Sequence, residues 1–85
     1  MLDHKQLKNA EFQSGEFVRE FARAREKNAP MHGAHEGYAV LLEEFDELWD
    51  HVKMKPSKRN ISDMRKEAIQ IGAMALAFVI EVCDK

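Results

Sequence analysis

Two short segments carry the residues that could do chemistry: Leu-Leu-Glu-Glu-Phe-Asp-Glu-Leu-Trp-Asp at 41–50 and Arg-Lys-Glu-Ala-Ile-Gln at 65–70. Residues three apart on a helix share a face, so Glu44 and Glu47 can aim their oxygens into one small volume, beside Asp50 or His51 one turn further on. Glu67 and Gln70 repeat that spacing in the second segment. Grouped carboxylate oxygens suit a hard cation. Mg²⁺ takes oxygen ligands, keeps several waters and is often held by a few carboxylates while it also binds a substrate phosphate, so the pattern points to phosphate chemistry. The plainer account makes Glu43, Glu44, Asp46, Glu47 and Asp50 the solvated side of an amphipathic helix. Glu67 and Gln70 weigh against it, because they open an otherwise apolar run and are costly to bury without partners.

The elements that must position these groups are helical. Ala10, Ser14, Phe17, Val18, Phe21 and Ala24 recur at three-and-four spacing, with Glu11, Glu16, Arg19, Glu20 and Arg23 on the other side, which predicts a first helix over about 4–27. Asn28-Ala-Pro30 ends it, and Gly33 and Gly37 predict a loop lasting until periodicity resumes at Tyr38. Tyr38, Leu41, Leu42, Phe45, Leu48, Trp49 and Val52 define a second helix, closed by Pro56. On that stripe Tyr38 and Trp49 read as core residues. Asn60, three residues before Asp63, resembles an N-cap for a third helix over about 61–83. Its segment 71–80 is apolar nearly all round, more than a three-helix monomer can enclose, and Ala68, Gly72 and Ala75 would let a second backbone approach. A short connection favours antiparallel packing of helices two and three, which would bring Glu67 and Gln70 toward Glu44 and Glu47.

The expected fold is therefore all-α: a small bundle of about three helices forming a single domain over 1–85, completed by dimerisation or dimer-of-dimers assembly. Eighty-five residues, 45% hydrophobic and 33% charged, can build only a thin core, so a metal or a partner chain would help. Cys83 is the only cysteine, so no intrachain disulfide is available and a cytoplasmic location is expected. Met-Leu-Asp-His-Lys is no apolar signal region, and 68–82 is too short and interrupted to span a membrane. A formal net charge of −2 supplies no general attraction for nucleic acid. Lys53, Lys55, Lys58, Arg59, Arg65 and Lys66 crowd the connection between helices two and three, mostly as solvated charge or as complements to a helix dipole. Lys53 is the candidate among them to meet a phosphate, with His35 as a second candidate for substrate contact, although for each histidine a surface role is the plainer account. His35-Glu36 lacks the second histidine of a zinc-protease helix, and no glycine spacing forms a phosphate loop.

Glu44-x-x-Glu47 followed by Glu67-x-x-Gln70 resembles the paired motif of the MazG-like, all-α nucleoside triphosphate pyrophosphohydrolases, over about 35–83. The resemblance implies a Mg²⁺ (or Mn²⁺) site on Glu44, Glu47 and Glu67, with Gln70 at the fourth ligand position, and cleavage of a ribo- or deoxyribonucleoside triphosphate to the monophosphate and pyrophosphate. It also implies a homodimer or homotetramer in which helices of two chains enclose each site. Gln70 stands where the family carries Asp; a neutral amide is a weaker ligand for a hard cation and cannot act as a base. The alternative is a MazG-like module that has lost catalysis and serves as a nucleotide-binding or protein-interaction dimer.

Overall fold

The computed structural model describes residues 2–85, which form three long helices: α1 (His4–Lys27), α2 (Ala34–Val52) and α3 (Ile61–Phe78). A 3₁₀ turn, Pro56–Lys58, joins α2 to α3, and a π turn, Val79–Cys83, extends α3. No strand occurs among the described residues. Each helix starts on a polar side chain or a glycine. Asp3 accepts from the Gln6 backbone N–H at 2.7 Å, while Gln6 accepts from the Asp3 N–H, a reciprocal cap that satisfies two otherwise orphaned donors. Asn60 Oδ1 accepts from the Asp63 N–H at 3.1 Å, the cap that its position predicts. At the end of α2, the Arg59 guanidinium donates twice to the Val52 carbonyl, at 2.9 and 2.7 Å, and so closes the connection onto the helix.

The second helix begins a turn earlier than the glycines suggest. Gly37 lies inside α2 and is buried, because the Phe78 ring packs directly on it: a Cβ there would come within 2.6 Å of the ring. Close approach, and not a turn, is what requires glycine at this position.

α3 is the shared element. α1 runs beside it in the same direction, with Gln13 bonded to Arg65 and Glu20 to Gln70, whereas α2 runs antiparallel, with Gly37 at Phe78 and Glu44 near Glu67. The outer helices pack on α3 far more than on each other, so the three form an open layer and not a closed bundle. The radius of gyration is accordingly 14.5 Å, against about 12 Å for a compact chain of this length. The core is thin: Ala24, Met31, Ala73, Met74 and Ala77 are buried, and no large side chain among the described residues is fully enclosed.

One ion pair fastens the carboxyl end of this layer. Arg25 Nη1 donates to both oxygens of Glu81, at 2.9 and 3.1 Å, and Glu81 Oε1 also accepts from the Met31 N–H at 2.9 Å. The charge that interrupts the apolar end of the third helix thus ties together α1, the α1–α2 loop and the π turn.

Candidate metal centre

α2 presents Glu44 and Glu47 one turn apart, and antiparallel α3 brings Glu67 against them; one oxygen from each carboxylate lies within 4.8 Å of the others. Glu44 and Glu67 are half-buried and Glu47 is exposed, so the cluster has a shielded floor and an open side. Glu44 Oε2 is fully shielded from solvent and has no hydrogen-bond partner. Burial, reinforced by the charges of Glu47 and Glu67, pushes the Glu44 carboxyl up to about 7. Glu67 is raised as well, chiefly by burial and then by Glu47, with His51 and Lys66 pulling the other way. The His51 imidazole Nε2 stands 3.9 Å from Glu67 Oε1, at the rim of the cluster.

An orphaned carboxylate oxygen beside two further carboxylates is an arrangement that the protein alone leaves unsatisfied. Its donor set is all oxygen and carries negative charge, which fits Mg²⁺ or Mn²⁺ and not a soft thiolate-seeking metal. Three carboxylates leave coordination positions for water or phosphate oxygen.

The remaining candidates lie elsewhere. Gln70 turns toward α1: its Nε2 donates to Glu20 Oε2 at 2.7 Å, and Arg23 donates to the other oxygen of the same carboxylate. The amide foreseen as a fourth metal ligand thus serves as a donor to Glu20. Glu20, which helical spacing assigns to the solvated side of α1, is only 8% exposed. The sequence signal for this contact is Gln70 itself, a polar side chain in an apolar run that needs a partner on an adjacent helix. Lys53 caps the end of α2 and pairs with Asp50 at 3.1 Å. His35 is exposed in the first turn of α2, nine residues and roughly 13 Å along the axis from Glu44. Tyr38 and Trp49 are not core residues: they are 64% and 58% exposed, because α3 covers a different face of α2.

Among the described residues, no helix is long and apolar enough to cross a membrane. Comparison with protein-family models, curated proteins and solved structures finds no match to this chain.

Proposed function

We propose that the chain is a Mg²⁺-dependent nucleoside triphosphate pyrophosphohydrolase, converting a ribo- or deoxyribonucleoside triphosphate and water to the monophosphate and pyrophosphate, and that it works as a homo-oligomer. The observation that carries this reading is the Glu44, Glu47 and Glu67 cluster with its unpartnered Glu44 oxygen, built from two antiparallel helices. Its residue pattern resembles that of MazG-like enzymes. Mg²⁺ bound there would supply electrophilic stabilisation of phosphate oxygens and acidify water. The three carboxylates would hold and orient the cation, with half-buried Glu44 and Glu67 on the shielded side and exposed Glu47 on the open side. His51, beside Glu67, can carry a proton or a positive charge at the rim, and Lys53 at the end of α2 can offset phosphate charge once released from Asp50.

A second reading rests on Gln70. With its amide committed to Glu20, the cluster has three carboxylates where the motif it resembles has four, which favours a nucleotide-binding or protein-interaction dimer without turnover. One experiment separates the two: a screen of ribo- and deoxyribonucleoside triphosphates with Mg²⁺ and Mn²⁺ that scores pyrophosphate apart from orthophosphate. Pyrophosphate release abolished by Glu47→Gln supports the enzyme. Orthophosphate release contradicts it, and binding without turnover supports the second reading.

A further inference from the structure

A groove between α1 and α3 collects positive charge in a chain that is acidic overall. It has a volume of ≈ 480 Å³ and is bordered by Arg19 and Arg23 on α1 and by Ser62, Arg65 and Lys66 on α3. Past Arg23, Lys66 and Gln70 it continues into a hollow of ≈ 300 Å³ that Lys27 borders. Five cations thus stand with two carboxylates, Glu16 and Glu20, whereas the whole chain has a formal net charge of −2. Both carboxylates are already engaged. Glu16 pairs with Arg19 at 2.9 Å, and buried Glu20 accepts from Arg23 and Gln70. The other three cations have no acid: Arg65 donates to the neutral Gln13 amide, and Lys27 and Lys66 form no ion pair among the described residues.

We infer that this groove binds an inorganic di- or triphosphate, through its own cations and without a divalent metal. Like charges crowded along one seam repel, and a compact polyanion neutralises the excess at once. Guanidinium groups suit phosphate in particular. Each presents five N–H donors in a planar fork, so Arg19 and Arg23 keep donors free after pairing with their carboxylates, and Ser62 adds a hydroxyl. Arg23 is also held in place, at the junction of the two hollows, by a carboxylate that Gln70 fixes from α3. Arg19, Arg23 and Lys27 recur every four residues and so line the groove over roughly 12 Å, room for a short phosphate chain. A nucleic-acid strand needs a longer track, of about four nucleotides or more. Ala24 and Ile69 are the only apolar residues on the border, and no aromatic ring stands there for a base to stack on. Lys66 lies roughly 100° around α3 from Glu67, so the groove and the carboxylate cluster open on different sides of that helix. The site is therefore separate from the candidate metal centre and independent of what the carboxylates bind.

Calorimetric titration of the full chain with inorganic tripolyphosphate, in EDTA and at low salt, reads this site alone, because polyphosphate held through a metal is lost under those conditions. Expected is saturable binding of one ligand per chain that weakens as salt is raised, with pyrophosphate bound less tightly and orthophosphate least. Arg65→Gln and Lys66→Gln, both at exposed positions, should each weaken it about tenfold with unchanged circular dichroism, and either one serves if the other fails to fold. Lys55→Gln removes the same charge from the α2–α3 connection and should leave binding unchanged. No binding in EDTA, or equal losses in all three variants, overturns the inference. Binding seen only when Mg²⁺ is present puts the polyphosphate at the carboxylate cluster and overturns it as well. A deoxyoligonucleotide that binds more tightly than tripolyphosphate, and is lost in the same two variants, overturns it in favour of nucleic acid. A nucleotide screen without pyrophosphate release counts against the enzyme and leaves this site standing.

Discussion

The two seams of α3 treat buried acid in opposite ways. Against α1, every carboxylate has a donor: Glu20 takes Arg23 and Gln70, and Glu81 takes Arg25 and the Met31 N–H. Against α2, Glu44, Glu47 and Glu67 face one another, with one oxygen unpartnered and only the weak influence of His51 and Lys66 on Glu67 to offset their charge. Paired acids are what folding requires, since an unpaired buried charge is costly. A seam that keeps its acids unpaired retains that cost, and a bound cation would remove it.

The contrast breaks most visibly at Arg25. Its side chain is 18% exposed and that of Glu81 13%, so Arg25→Ala strands a carboxylate and should cost about 3–5 kcal/mol. Urea denaturation measures this directly, and a loss below about 1 kcal/mol would mean that the pair is ordinary surface charge. The α2 seam should respond to metal instead. Mn²⁺ or Mg²⁺ at a hundredfold excess over its dissociation constant adds about 2.7 kcal/mol, a rise of several degrees in Tm for a domain of this size. Glu47→Gln should melt at or above wild type without metal, because it relieves repulsion, yet lose most of the metal-induced rise. If the variant keeps the whole rise, the cluster is not the binding site.

Gln70 sharpens the boundary between the seams. Gln70→Ala removes the donor to nearly buried Glu20 and should cost about 1–3 kcal/mol, whereas Gln70→Asp sets a second carboxylate against it and should be worse at pH 7 than at pH 4. Metal titration of Gln70→Asp by calorimetry supplies the opposing test: a clear gain in affinity would show that position 70 reaches the cluster after all. The pH dependence of the metal-free protein tests the α2 seam without any ligand. Glu44 ionises near 7 when folded and at its ordinary value of 4.5 when unfolded, so the unfolded chain gives up its proton first. Its contribution is fully present below pH 4.5 and is lost as pH rises through about 7. Tm without metal should therefore decline between pH 5 and 8, and Glu44→Gln should flatten the decline. A decline of equal slope in that variant would assign it to other groups.

Much of the candidate site is legible along the chain because it depends on local spacing. Glu44 and Glu47 are three positions apart whatever surrounds them, and the cap at Asn60 needs only its own helix. Gly37 is the opposite case: its sequence neighbourhood resembles a loop, and only Phe78, forty-one residues later, makes it a helical close contact. Glu20 likewise sits on the polar side of α1 by spacing, and becomes buried because Gln70 arrives from α3.

Helix number, helix phase and the carboxylate pair on α2 were determined by sequence alone, since hydrophobic period, caps and breakers act over a few residues. Which face of each helix is covered was decided only by tertiary packing. α2 has apolar side chains over a wide arc, and α3 covers the half bearing Leu41, Leu48 and Gly37, so Glu44 is drawn into the seam while Tyr38, Phe45 and Trp49 are left outside. Periodicity specifies that a face is apolar; the choice among apolar faces belongs to shape and side-chain volume, here the fit of Phe78 onto a residue with no side chain.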